Sequence, residues 1–332
     1  MKVFVTGATG LLGRQLVEVL LAHECEVTAL VRTFDRARAL PAGVRAAPGD
    51  VTRRASLRAG MRGAEVVFHL AAWTRIGTRP RAYDLAQRTN VDGTREVLEL
   101  AAELGGPKVV FVSALDIYGD THGQVLDEAH LPAQPALDSA QARSKRRALK
   151  EVVEPMQARG LPIVVACPGA LFGPGDASWR GRLLRRYARR RLPLMIGPET
   201  CFSWTCAAEA ATGLWLAAAH GQPDETYFLA GPALSYRAFF AAAERATGRP
   251  APRLWLPAGL ARVLAQALRQ VRPDWSEVLA SFSGVTYLAR SDKAQRDLGW
   301  QPRPIETSLA ECIGTLARPE RPAPAAIASH SE

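Results

Sequence analysis

Short β-branched runs alternate with amphipathic segments through the first 170 residues, the pattern of a parallel sheet flanked by helices. The runs Val3–Thr6, Val27–Val31, Val44–Ala47, Val66–Leu70, Val109–Ser113 and Ile163–Cys167 predict strands. Between the first two, Leu12, Leu16, Val19 and Leu20 recur at helical spacing while Arg14, Gln15 and Glu18 point away, so a helix packed on the sheet is expected there. Right-handed crossovers then make the chain α/β with a doubly wound parallel sheet.

After Pro174 the alternation loosens. An Arg-rich helix, a strand-like Thr226–Leu229 and a Pro-punctuated stretch from Pro250 to Pro257 follow, which predicts a smaller unit built of discontinuous pieces. The alanine-rich Ala207–Ala219 is expected to return as a helix beneath the sheet. Residues 1–175, with 201–222, therefore form the expected Rossmann core, and 176–200 with 223–318 the cap. Residues 319–332 are Pro/Ala-rich without apolar period and predict a flexible tail.

Composition changes this picture little. With 332 residues and 48% hydrophobic content there is ample material for a core domain and a smaller one. The net charge of +10 raises a nucleic-acid partner, but the densest basic cluster (Arg180, Arg182, Arg185, Arg186, Arg189, Arg190 and Arg191) would surround a helix rather than stripe it. A solvated helix is expected, and no nucleic-acid partner. Five scattered cysteines without a C-x-x-C pair indicate neither a disulfide framework nor a metal site, and point to the cytoplasm. The chain starts directly on a strand-like run and holds no apolar stretch of about 18 residues, so neither a leader nor a membrane partner is expected.

The chemistry starts at Thr6-Gly7-Ala8-Thr9-Gly10-Leu11-Leu12-Gly13, which closes the first predicted strand and opens the first helix. There a pyrophosphate can meet backbone N–H groups and the positive end of the helix, and glycines permit close backbone approach. Gly7, Thr9, Gly10, Leu11, Leu12 and Gly13 are the expected cradle. At the end of the second strand, where an acidic residue would hold the adenosine ribose of NAD, stands Arg32. A guanidinium attracts a 2′-phosphate, so NADP is the expected cofactor, with NAD as second choice.

With Gly7, Gly10 and Gly13 spaced G-x-x-G-x-x-G, the chain resembles the extended short-chain dehydrogenase/reductase family of epimerases and dehydratases. Leu30-Val31-Arg32 and Ala251-Pro252-Arg253 resemble its dihydroflavonol-reductase and hopanoid-associated epimerase branch. The resemblance implies that Asp50 and Val51 contact the adenine, that Leu70, Ala71 and Ala72 line the cofactor, and that Asn90 is a structural asparagine. It further implies that Pro168, Ala170 and Leu171 lie over the nicotinamide, that Lys145 binds cofactor and tunes catalysis, and that Leu298-Gly299-Trp300-Gln301-Pro302 is the C-terminal signature. Homodimers occur among such proteins.

Three positions depart from that family's pattern. The tyrosine four residues before Lys145 is Gln141, whose amide cannot transfer a proton as a phenol does. The serine or threonine four residues before the tyrosine of Tyr118-Gly119 is Ala114, with Ser113 one residue earlier on the opposite strand face. A His-Val-Asp-Asp-like segment is Cys206-Ala207-Ala208-Glu209. Lys145, Gln141, Ser113 and Asp116 are then the candidate catalytic residues, Asp116, two residues after Ala114 on the same strand face, as a carboxyl that can carry the proton. Tyr118 approaching from the strand end, or His69 as a base, are further options, each with an ordinary packing or hydrogen-bonding role as its alternative. Trp73, Trp179 and Trp204 either shape an apolar pocket or pack in the core.

The leading reading is an NADP-dependent oxidoreductase or epimerase-like protein acting at a hydroxyl or carbonyl carbon of a small, apolar or polycyclic substrate through an altered proton relay. Two others stay open. One is a nucleotide-binding protein without catalysis, acting as scaffold, redox sensor or RNA binder. The other is an enzyme that keeps its cofactor for a non-redox dehydration or rearrangement.

Overall fold

The computed structural model describes residues 1–38, 40–74, 80–129, 131, 137 and 139–318; the expected tail lies outside them. Six strands follow the sequence pattern closely: β1 (Lys2–Thr6), β2 (Glu26–Val31), β3 (Arg45–Pro48), β4 (Val66–His69), β5 (Lys108–Val112) and β6 (Ile163–Pro168). Then come β7 (Ala170–Phe172), β8 (Leu194–Ile196), β9 (Cys201–Cys206), β10 (Thr226–Leu229), β11 (Ala233–Ser235), β12 (Leu254–Leu256) and β13 (Thr286–Tyr287). The main sheet has the order β10-β6-β5-β4-β1-β2-β3, and every pairing in it is parallel. Chain order reverses between β1 and β4, which opens a crevice beyond their C-terminal ends.

Burial on both faces explains why these strands read as continuous apolar runs. One face packs Leu57, Met61, Val97, Leu98, Val152 and Met156 from the crossover helices. The other packs Leu12, Leu16 and Leu20 of the helix Leu11–Ala22 against Ala210, Leu214 and Ala217 of Ala207–Ala219, the alanine-rich helix expected there. A third core, rich in Phe, Tyr and Trp, holds the cap together around Phe202, Trp204, Tyr236, Phe239 and Phe240.

Three expectations need correction. Cys201–Cys206, placed by sequence in the Rossmann core with 201–222, is β9 of the cap sheet, pairing with β11 and β13, and its Phe202 and Trp204 belong to the cap core. Thr226–Leu229, placed by sequence in the 223–318 cap, is the edge strand of the main sheet, pairing with β6 from Thr226↔Val165 to Leu229↔Pro168. A lone four-residue strand carries no label of its sheet; burial of Tyr227, Phe228 and Leu229 decides it. The Arg-rich helix spans only Trp179–Ala188, and the chain turns at Arg190 with φ 56, leaving Arg189, Arg190 and Arg191 beyond the helix. Arg180 meanwhile points at aromatic rings instead of into solvent.

The C-terminal signature closes the far end of the core. Gly299 ends the helix Asp292–Leu298 in the left-handed region (φ 70), which turns fully buried Trp300 inward to donate its indole N–H to the Glu209 carbonyl at 2.9 Å. The Glu209 carboxylate accepts from Ser308 and pairs with Arg303, so the residue that departs from the family pattern serves as a clasp for the C-terminal segment. Trp300→Ala should lower the unfolding free energy by about 3–5 kcal/mol in denaturant titrations. A loss below about 1 kcal/mol would show that this segment does not close the core.

Candidate active site and cofactor cradle

β1 runs into the cradle with φ 77 at Gly7, where a Cβ would stand 2.7 Å from the Ala71 backbone nitrogen. At Gly13 a Cβ would stand 2.1 Å from the Gly7 carbonyl. Only glycines allow helix Leu11–Ala22, β1 and the loop after β4 to close up this tightly. Gly10 caps that helix without any side-chain hydrogen bond, so its first N–H groups stay available to an anion. The donor set fits a dinucleotide pyrophosphate, with Thr9, Leu11 and Leu12 at the same junction.

The other expected cofactor residues follow the C-terminal ends of neighbouring strands. Arg32 is exposed just past β2 and makes no hydrogen bond or ion pair with a described residue. Asp50 follows β3 and folds its own turn, one carboxylate oxygen accepting from the Thr52 N–H and hydroxyl at 2.9 Å each; Val51 beside it is buried. Leu70, Ala71 and Ala72 leave β4 half-buried. Pro168, Ala170 and Leu171 span the junction of β6 and β7, pressed so closely on β9 that a Cβ at Gly169 would meet the Ser203 carbonyl at 2.2 Å.

A chain of hydrogen bonds joins these loops. The Ala71 N–H donates to Thr6 Oγ1 (3.2 Å), and that hydroxyl faces His69 Nδ1 at 2.8 Å. His69 Nε2 lies 3.0 Å from Thr94 Oγ1, which donates to the Asn90 carbonyl at 2.6 Å. Since Thr94 spends its proton on that carbonyl, the Nε2–H tautomer of His69 satisfies the whole series. Burial pulls His69 down to about 3, so it stays neutral with both ring nitrogens engaged; it is a strut and not a base. Asn90 extends the series by accepting from the Trp73 N–H (2.6 Å) and donating to the Trp73 carbonyl (3.1 Å) and to Ser144 Oγ (2.8 Å), next to Lys145. The sequence marked His69 and Asn90 separately; their coupling through Thr6 and Thr94 was not foreseen, because two threonines in strand and helix carry no motif.

The helix Ala140–Ala148 presents Gln141 and Lys145 on one face, as their spacing of four requires. Lys145 is buried and donates to the Val112 carbonyl at 2.9 Å. Gln141 Nε2 donates to Asp116 Oδ2 at 3.1 Å. Asp116 sits in a 3₁₀ turn, Leu115–Tyr118, rather than on the strand face expected for it: β5 ends at Val112, and Ala114, still extended (φ −158, ψ 156), caps the turn. Burial raises the Asp116 carboxyl above the usual range, with Lys145 and Arg180 opposing. Burial likewise pulls Lys145 below its ordinary value while Asp116 pushes back.

Four buried polar atoms here lack a hydrogen-bond partner: Ser113 Oγ, Asp116 Oδ1, Arg180 Nε and the Tyr236 hydroxyl. Such groups are rare in a folded interior and mark functional sites. Arg180 lies 5.1 Å from the Trp179 ring centroid and 5.4 Å from that of Phe202, and its charge acts on both Asp116 and Tyr236. Burial pushes the Tyr236 hydroxyl well up with Arg180 opposing, and neither Arg180 Nε nor that hydroxyl completes a hydrogen bond of good geometry. A small cavity beside them is walled by Phe172, Trp204, Tyr236 and Phe239. Of the three tryptophans, Trp204 borders this cavity, Trp179 packs on Phe282 at 4.7 Å, and Trp73 is held through its backbone by Asn90. Tyr118 is buried against Phe228 at 5.5 Å with its hydroxyl pushed far up by burial, a packing residue. Arg180 and Tyr236 were missed as site residues, since sequence placed one on a solvated helix and gave no signal for the other.

A parallel sheet with glycine-lined backbone at its switch point, and a buried lysine on the helix beside it, defines a dinucleotide-binding Rossmann protein. The chain belongs to the NAD dependent epimerase/dehydratase family, whose model matches residues 3–230. It is 30% identical to a 4-hydroxy-2-methyl-3-oxo-4-farnesyl-3,4-dihydroquinoline-1-oxide ketoreductase of Stigmatella aurantiaca, over 91% of this chain and 92% of that protein. It is 31% identical to a protein of Synechocystis sp. named provisionally as a dihydroflavonol 4-reductase, over 93% of each. Among solved structures, the dTDP-glucose 4,6-dehydratase DesIV of Streptomyces venezuelae with NAD bound superposes with a TM-score of 0.77 at 20% identity, covering 95% of this chain and 96% of that one. A nicotinamide-dependent, reductase/dehydrogenase-like function follows from that membership.

The Asp116 shift carries a stability prediction. A carboxyl whose folded pKa lies above its unfolded value contributes stability below the unfolded value and loses it as pH rises through the folded one. Asp116→Asn should therefore raise the melting temperature more at about pH 8 than at about pH 4, because the amide avoids the buried charge while still accepting from Gln141. A melting-temperature difference that does not change with pH would show that the carboxyl is not strained.

Proposed function

We propose that the protein is an NADP-dependent oxidoreductase of the cytoplasm that interconverts a carbonyl and a hydroxyl on a small apolar or polycyclic substrate, moving the proton through Asp116. The observation that carries this reading is the Gln141–Asp116 hydrogen bond at 3.1 Å, which occupies Oδ2 and leaves the buried Oδ1 without a partner. When bound, the nicotinamide supplies or accepts the hydride. In the reducing direction Asp116, whose carboxyl burial holds above the ordinary carboxylate range, donates its proton to the substrate oxygen. Gln141 aims the carboxyl and exchanges no proton of its own. Lys145, fixed on the Val112 carbonyl, stabilises the carboxylate that remains. Phe172, Trp204 and Phe239 are buried in the cap core around a cavity of about 10 Å³, too small for a substrate, so they do not carry the apolar part of this reading. The farnesylated dihydroquinoline oxide in the name of the Stigmatella relative supports that part.

Asp116→Asn should cut turnover by about 10²–10⁴, and the wild-type kcat/KM for reduction should fall as pH rises past the raised carboxyl value, without a limb in the range of a phenol. Polycyclic ketones are suitable first substrates. Gln141→Tyr with Ala114→Ser should leave turnover unchanged or lower it. A large gain from this pair would instead mark decay of an older tyrosine enzyme, and inactivity of every variant on every ketone would favour the nucleotide-binding reading.

Arg32, exposed and without a partner among the described residues, supports NADP over NAD. In fluorescence titrations NADPH should bind about tenfold or more tightly than NADH, and Arg32→Asp should reverse the order. Tighter NADH binding by the wild type would remove the Arg32 inference alone, whereas binding of neither dinucleotide would remove the cradle.

A further inference from the structure

The helix Ala258–Leu268 is packed the wrong way round for a soluble surface. Ala258, Ala261 and Ala265 face the protein and are buried, whereas the larger apolar residues Leu260, Val263 and Leu264 face solvent. At 100° per residue, Val263, Ala267, Leu260 and Leu264 form one continuous outward stripe. The turn that follows adds Val271, 76% exposed, and the next helix, Pro273–Ala280, adds Trp275, 60% exposed. Ser276 ties the two helices by donating to the Ala265 carbonyl at 2.7 Å. Leu194 and Leu254, register partners in the β8–β12 pair just before this hairpin, are exposed as well.

The charges of this hairpin are mostly basic, with Asp274 and Glu277 on its second helix as the exceptions. Residues 249–273 carry Arg249, Arg253, Arg262, Arg269 and Arg272 and no acid, and none of the five forms an ion pair with a residue whose side chain is described. We propose that this helical hairpin docks on an anionic lipid surface, its stripe and Trp275 entering the headgroup boundary and its arginines meeting lipid phosphates. A second copy of this chain is disfavoured as occupant, because a twofold contact would set this arginine cluster against itself. Among the described residues no helix is long and apolar enough to cross a membrane, so the contact is peripheral. The expectation of no membrane partner came from the lack of a span and did not test for such a face.

The full chain should co-sediment with vesicles of about three parts phosphatidylcholine to one part phosphatidylglycerol at low salt, and far less with phosphatidylcholine alone or at about 0.5 M salt. Val263→Glu with Val271→Glu should lower the bound fraction about tenfold or more without changing the melting temperature, since both side chains are exposed. A wild type that stays in the supernatant overturns the proposal, and so does undiminished binding by the double variant. Concentration-dependent self-association in sedimentation velocity that the variant abolishes would assign the face to a second copy and overturn it too. None of these readouts depends on activity or on a bound dinucleotide.

Discussion

The close approach of backbones where β1 meets β4 is the constraint on which the rest of the site depends. Gly7 lies where a Cβ would collide with Ala71, and Gly13 where one would collide with Gly7. Register pairs Thr6 with His69, and this places their side chains to start the hydrogen-bond series that ends at Ser144. One rigid unit thus fixes the phosphate cradle, the loop through Trp73 and the helix bearing Lys145. Neutral His69 makes the series possible: an imidazolium would have two donors and could not accept from Thr6. Lys145 nearby adds to the cost of any charge on that ring.

Against that rigid frame the groups proposed to handle the proton are left energetically uncomfortable. Asp116 and Lys145 are each driven toward neutrality by burial and each held toward charge by the other. Groups arranged for stability alone would be paired completely, because an unsatisfied buried polar atom costs about 1–3 kcal/mol. Ser113, Asp116, Arg180 and Tyr236 instead present unpaired atoms near one end of the sheet. With Gln141 where the family has a tyrosine, the amide donates to the Asp116 carboxyl.

The sequence made the sheet legible because parallel strands buried on both faces read as apolar runs, and because glycines at a strand-to-helix junction answer to a steric demand that no other residue meets. Thr226–Leu229 escaped correct placement since four apolar residues look the same in a cap as at a sheet edge, and only the pairing with β6 distinguishes them. Asp116 was found through its distance from Ala114, although the strand assumed for it had already given way to a 3₁₀ turn. Arg180 was unreadable for a different reason. Its neighbours on the helix are exposed arginines, and the rings that receive it, Trp179 and Phe202, come from separate elements brought together only by the cap core.

The same limit applies to the hairpin after Pro257. Periodicity reports that a helix has two unlike faces, but its magnitude is blind to which of them turns inward. Alanines at 258, 261 and 265 and larger residues at 260, 263 and 264 give a pattern that a reader would naturally fold with the larger side chains in the core. In the structure the small side chains are buried and the larger ones exposed, which forgoes burial worth roughly 1.5–3 kcal/mol for each large apolar side chain. Net charge is similarly blind. Some arginines are neutralised locally, as Arg54 is by Glu99 and Arg147 by Glu151, so the +10 total says less than the places where such compensation is sparse among the described residues, of which 249–273 is one. An inverted helix and an arginine-rich stretch falling on the same hairpin are two independent departures from what a solvent-facing surface would select.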